Sequence, residues 1–470
     1  MQLRLESLDN GELNKIHEAT LEVLEKTGIK MDSEAVRKLL AQHGAQVDGN
    51  RVRLPSAMVE RVVGQINRTV SLAARDGRRT LTLPSRTTLN ATSGYAAQVR
   101  DMETGETRES TSGDLVQFAV LADALEEVDF FWPSAMPTEI ASPILQEIAA
   151  LDIALRHTSK HVQCSVCDDE AARWQIKLAA ALLGGEDKLR ETPIFSVVAS
   201  PFTPLEFKKG VSDSLVRMAR AGVPVTPMNV PMAGTTAPVT LAGAIVLTNA
   251  EQLATLAILK CADAAAPMVY SSDTATAEPS SGGMNYHSPD RPVLYAAIAQ
   301  LTRFYGIPGC VAHDSSEEKS YQIAAGFEKN VLRVAMNSMS HSDLAVWMGS
   351  LDDALGCSLW DLVLDAEAVK MAKEYNRRFV IDDGTLAVDV IDQVGPGGHF
   401  MNNKHTAKNL RKQVSMYNHR NSLIFAGGDF CENARAKVLD VLKNHKPLPV
   451  DPEKIKAMDA VMEEARKIYG

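Results

Sequence analysis

The hydrophobic positions of this chain change their rhythm near residue 111. Before it, Leu13, Ile16, Leu21, Val23 and Leu24 fall near one side of a helix over 11–29, which Gly28 closes. A second helix around 33–44 leads into AQVDGNRVRLP, which predicts a short hairpin turning at Asp48-Gly49-Asn50. SAMVERVVGQI opens a third helix, and TVSLAARD, TLTLP and YAAQVRD read as strands. These pieces form a mixed prelude with no regular alternation.

From 111 onward, apolar strands and helices alternate. STSGDLVQFAVLADAL is a capped amphipathic helix. The strands that follow are VDFFWPSAM, HVQCSVC, TPIFSVVASP, PVTPMNVP, APMVYSSD, IPGCVAHDS and DLAVWMGSL, with a less distinct unit near CSLWDLVLD. Helices are predicted between them at about 141–157, 169–184, 205–221, 239–264, 291–305 and 319–338. Strands that are apolar throughout, each followed by a helix, indicate a parallel sheet covered by helices. Seven or eight such units exceed the usual needs of a doubly wound sheet, and the chain holds neither a GxGxxG turn after its first strand nor a P-loop. The predicted class is therefore α/β, a (β/α)8 TIM-type barrel over 111–369. A mixed α/β extension over 1–110 precedes it, and a charged helical region over 370–470 packs on it.

Composition narrows the function classes. In 470 residues, 45% apolar and 23% charged side chains describe a globular chain with a sizeable core. A net charge of −10 with no basic stripe argues against nucleic acid as the main partner. The sequence predicts no membrane span and no signal peptide, and its six scattered cysteines fit a reducing cytoplasm. Cys164-Ser-Val-Cys167, with His161 nearby, is the one metal-like spacing. In a strand, residues three apart point to opposite faces, which favours plain burial and predicts no metal site.

In a barrel of this kind chemistry sits at the C-terminal ends of the strands. Those ends carry Trp132, Phe202, Tyr270 and Trp347, although aromatics are only 5% of the chain. The loop SSGGMNYHSPD, 280–290, adds Tyr286 and His287, and Gly282, Gly283 and Pro289 shape it as a wall or lid of the mouth. An aromatic-lined pocket suits a cation that cannot donate hydrogen bonds, such as a quaternary ammonium. His287 and His313 supply polarity for a substrate carboxylate, and Asp314, beside the latter, would orient its neighbour or hold a cation.

Three stretches carry a resemblance. IHEATLEVLEKTGIKMDSEAVRKLLAQHGAQVDGNRVRLPSAMV, DMETGETRESTSGDLVQFAVLADAL and VGPGGHFMNNKHT resemble the trimethylamine methyltransferase family. The resemblance implies a (β/α)8 barrel that moves a methyl group from an amine to the Co(I) centre of a separate corrinoid protein. The corrinoid is therefore carried by the partner rather than bound tightly by this chain. The family's founding members use pyrrolysine on trimethylamine. This chain reads through PGCVAHDSSEEKSYQ with ordinary residues and so resembles the non-pyrrolysine branch, which demethylates quaternary amines. Glycine betaine is the leading substrate, with proline betaine, carnitine and γ-butyrobetaine as alternatives. A betaine-binding module without catalysis and an unrelated metal-dependent barrel hydrolase are the rivals from other classes. Tyr95, in a family block, joins Trp132, Tyr270, Tyr286 and Trp347 as the proposed enclosure of the trimethylammonium group, and His287 and His313 meet the carboxylate, with Asp314 among the substrate-site residues beside His313.

Overall fold

The computed structural model describes residues 4–77, 79–286, 288–312, 323–351, 354–375, 379–414, 423, 427 and 429–470. Eight parallel strands close on themselves. Leu89–Thr92 pairs with the last strand, Leu344–Met348, and through Ala91 with Phe130 of the second strand, 130–131. Phe131 bridges Val162 of the third strand, Val162–Ser165, which pairs with the fourth, Phe195–Val198. The fifth runs over Val225–Thr226 and Met228–Asn229 around Pro227, the sixth is Tyr270–Ser272, and the seventh, Gly309–Ala312, completes the ring.

Each strand is followed by its helix: Ser112–Ala124, Pro143–His157, Asp169–Leu183, Lys209–Ala221, Leu241–Ala262, Asp290–Tyr305, Ile323–Ser340 and Leu359–Tyr375. Capping sets several of their starts. Thr111 and Asp114 form a capping box, Ser142 caps a helix with Pro143 in its first turn, and Asp168 caps the next. The helix Leu241–Ala262 is long and apolar enough to cross a membrane by composition, which the sequence reading did not anticipate. However, 72% of its most apolar window is buried within the fold.

The (β/α)8 prediction holds, but the count is corrected at its front. The first strand, Leu89–Thr92, lies inside the stretch read as an extension, and CSLWDLVLD adds no barrel strand: Cys357 ends the short strand Gly356–Cys357, which pairs outside the barrel, and the rest starts the barrel's eighth helix.

Two apolar layers result. Ala91, Phe130, Val198, Met228, Val269, Cys310, Leu344 and Val346 fill the barrel interior, while a larger cluster joins the strands' outer faces to the helices. A hairpin of Val70–Ala73 and Thr80–Leu83 adds Val70, Leu72 and Leu83 to the interior cluster. It reaches the N-terminal ends of the strands: Ala73 N–H donates to Pro193 O, and His161 meets Ala73 O. The hairpin is thus a stopper at the bottom of the barrel.

The N-terminal helix Asn10–Glu22, held by an Asp9–Glu12 capping box, packs on Leu241–Ala262. Gly28, at φ +69°, turns the chain against Val52, where a Cβ would meet the carbonyl at 2.3 Å. The C-terminal helix Pro452–Tyr469 packs on Asp169–Leu183, tied by Lys177–Glu464 at 2.6 Å and by the Tyr469 hydroxyl on Glu170 at 2.7 Å.

Candidate functional site

The chain crosses the top of the first two strands side by side. Thr92 Oγ1 donates to Trp132 O at 2.6 Å and accepts from Trp132 N–H, and the Tyr95 and Ala96 amides donate to Pro133 and Ser134 carbonyls. This pairing lays the Trp132 indole over Gly94, where a Cβ would sit 2.1 Å from Cε2. Trp132 packs on the interior cluster and is half-buried.

Tyr95 follows at φ 60°, a left-handed conformation that L side chains rarely adopt. The turn carries its ring away from the barrel axis onto the outer layer. Its hydroxyl comes up against the Cys164 thiol and the Ser165 backbone without reaching hydrogen-bond geometry. Trp132 and Tyr95 are therefore neighbours across adjacent strands, with ring directions set apart by that one φ.

Beside them the third strand holds the buried Cys164, while Cys167 lies beyond its end and is exposed, so the pair does not share one strand as the sequence suggests. The Glu147 carboxylate accepts the Cys167 amide at 3.2 Å, and burial pushes its pKa up to about 7. Burial raises both thiols as well, so neither is a ready thiolate at neutral pH. His161 holds Ala73 O and Ser196 Oγ, each at 2.9 Å, one layer further down. Among the described residues no group of three or more His, Cys, Asp or Glu is placed to hold a metal ion.

Tyr270 and Trp347 are corrections. Tyr270 is fully buried on the outer face of its strand, and its hydroxyl donates to Asn249 Oδ1 at 3.1 Å. Trp347, 4% exposed, also belongs to the outer layer, with Nε1 directed to Asn90 Oδ1 at 3.3 Å. Each sits one residue out of register with the inward positions, Val269 and Val346. Neither reaches the mouth.

Tyr286 stands in the loop after the sixth strand. That loop is built rather than slack: Met232–Ala233 pairs with Ala275–Thr276, Ala277 bridges Met284, and the Asn285 amide donates to Thr276 O. The fully buried Arg291 pins it. Its guanidinium lies 5.0 Å from the Tyr286 ring centre, 2.6 Å from Asp273 Oδ1 and 2.9 Å from Met284 Sδ. Tyr295 donates to the same Asp273 oxygen. One face of Tyr286 is thus taken by an internal cation. Arg291 carries no signal in the sequence, because its partners lie across the loop. His287, His313 and Asp314 lie outside the described residues.

One inward residue was missed. Gln163 lies between Val162 and Cys164, both in the outer layer, so it faces the interior, fully buried, with neither amide atom hydrogen-bonded. Trp132 Nε1 is likewise buried without a partner. Two open clefts lie elsewhere. One of about 480 Å³ is on the outer wall by Val36, Arg173 and Arg217, and one of about 330 Å³ is at the bottom rim by Arg86, His341 and Lys373.

Comparison with known proteins places this geometry in context. Residues 2–468 match the family described as trimethylamine methyltransferase (MTTB). The chain is 30% identical to the trimethylamine methyltransferase MttB of Desulfitobacterium hafniense, over 99% of this chain and 95% of that one. It is 28% identical to a glycine betaine methyltransferase of another strain of that species, over 98% of each. Among solved structures, the hydroxylamine MtmB complex aligns over 99% of this chain and 95% of its own, with a TM-score of 0.47 at 12% identity.

Proposed function

This chain belongs to the trimethylamine methyltransferase family, and from that premise we propose that it transfers a methyl group from a quaternary amine to the Co(I) corrinoid of a separate protein in the cytoplasm. Glycine betaine, giving dimethylglycine, is the leading substrate; proline betaine, carnitine and γ-butyrobetaine are the alternatives. The observation that carries the reading is full-length similarity to a glycine betaine methyltransferase, in a chain built from ordinary residues throughout.

Chemistry supports it. A tetra-alkylated nitrogen is already charged, so loss of a methyl releases a neutral tertiary amine with the C–N electron pair. The acceptor cobalt supplies both electrons of the new cobalt–carbon bond. No proton donor and no covalent adduct with the amine is needed, and the protein's task is positioning in line. A fixed anion against the nitrogen would stabilise the charged ground state over the charge-dispersed transition state. The Trp132 face at the top of the barrel binds such a cation more mildly.

The test mixes the purified chain with a reduced corrinoid protein and a panel of amines. Methyl-cobalt absorbance is expected to grow with a quaternary amine. Growth only with trimethylamine, or with no amine, overturns the proposal, and saturable betaine binding without turnover marks a binding module instead.

A further inference from the structure

We propose that Gln163, assisted by Trp132 Nε1, holds the carboxylate of a zwitterionic quaternary amine inside the barrel. This rests on the quaternary-amine reading and names the end of the substrate that reading leaves unassigned. The Gln163 amide is fully buried with both atoms unpaired, and buried polar groups in folded proteins are nearly always paired. The bridge from Phe131 to Val162 makes Trp132 and Gln163 cross-strand neighbours on the inward face. Two orphaned donors therefore belong to adjacent inward positions at the top of the barrel, and unpaired N–H donors fit an anionic acceptor.

Topology sets the direction. A corrinoid is too large to enter an eight-stranded barrel, so the reacting methyl must face the mouth and the other end of the substrate must point down. Gln163 is one inward position above His161, whose two ring nitrogens are already engaged. It is the first unsatisfied polar group on that strand below the mouth. An uncharged amide also suits the site, since it binds the carboxylate without repelling the ammonium beside it.

The experiment compares glycine betaine with ethyltrimethylammonium, which lacks the carboxylate, by titration calorimetry on the full chain. Gln163→Leu is expected to lower the betaine-to-ethyltrimethylammonium affinity ratio at least tenfold, and Gln163→Glu further by repulsion. Trp132→Phe keeps a ring and removes only the donor, and should lower the ratio about threefold. The ligand-free melting temperature of Gln163→Leu should not fall, because an unsatisfied amide is removed. An unchanged ratio in all three variants overturns the proposal, as does an equal loss of both ligands with a lowered melting temperature. A wild-type chain that binds ethyltrimethylammonium but not betaine overturns this proposal and leaves the quaternary-amine reading standing. Binding of neither overturns both.

A separate observation concerns residues 379–414. The helices Asp383–Leu386, Val388–Val394 and Lys404–Gln413 contain no buried residue. Phe379, Ile381 and Met401 are 79%, 71% and 85% exposed, and Val388, Ile391 and Val414 are also exposed. So much exposed apolar surface in one segment marks an interface. Its charges identify the partner. Asp382, Asp383, Asp389 and Asp392 lie in the first half with no Lys or Arg, and Lys404, Lys408, Arg411 and Lys412 lie in the second with no acid. None of the eight forms an ion pair among the described residues. A two-fold contact sets the acidic half of one copy against the basic half of the other, twice over. We infer that this segment is the homodimer interface.

Charge reversal tests it. Wild type should sediment as a dimer. Asp389→Lys/Asp392→Lys and Lys408→Glu/Arg411→Glu should each be monomeric alone and form dimers when mixed. A monomeric wild type, including one that uses this segment to bind the corrinoid protein, overturns the inference, as does undiminished self-association of either variant.

Discussion

The Trp132 indole rests on the backbone of Gly94 so closely that a Cβ there would lie 2.1 Å from Cε2 and 2.3 Å from Nε1. Glycine at 94 is thus a condition of the indole's position and not a local flexibility. Gly94→Ala is expected to displace the ring and reduce quaternary-amine affinity at least tenfold, while the barrel stays folded. Calorimetric titration, with near-ultraviolet dichroism to follow the indole, checks both parts.

Arg291 and Asp273 form a buried pair at 2.6 Å under the 273–289 loop. Removing one partner leaves the other charge stranded, so Arg291→Leu should cost about 3–5 kcal/mol in urea unfolding. It should also make the 277–286 segment a protease target. Replacing Asp273 by Asn in the same chain removes the stranded carboxylate and should recover part of the loss.

His161 sets an acid limit. Burial pulls its pKa down to about 4, so the folded protein keeps it neutral where the unfolded chain, near 6.5, takes up a proton. Its contribution is present above 6.5 and lost as pH falls toward 4, a change on the order of 3 kcal/mol. His161→Gln should flatten denaturation midpoints across that window.

Glu147 works in the opposite sense. Its pKa, raised by burial from 4.5 to about 7, means that the folded state holds the proton more tightly than the unfolded one. The contribution is complete below 4.5 and lost as pH rises through 7. Glu147→Gln should therefore be more stable than wild type above pH 7, by a margin that shrinks toward pH 4.5.

Seven of the barrel's strands were legible because each is a continuous apolar run between helical stretches. The same uniformity hid which face of each strand points inward. APMVYSSD and DLAVWMGSL are apolar on both faces, and a one-residue slip exchanges interior for exterior; Tyr270 and Trp347 were misplaced in this way. The first strand, LNAT, escaped notice because Asn90 and Thr92 serve as hydrogen-bonding positions and dilute its apolar signal. Trp132 was legible from its place at a strand end. Gln163 left a trace that could be read, a polar residue inside the apolar strand HVQCSVC. Tyr95 revealed its membership but not its direction, since a positive φ at tyrosine has no sequence signature.

The hairpin formed by Val70–Ala73 and Thr80–Leu83 closes the N-terminal end of the barrel, which leaves its C-terminal end as the way in among the described residues. In the proposed reaction, amine, demethylated product and methyl acceptor then all use the same doorway. On that proposal loading precedes the arrival of the corrinoid protein, and the product leaves only after that protein departs. The proposed reaction accordingly has a compulsory order of binding, in which excess corrinoid protein seals empty enzyme and slows turnover.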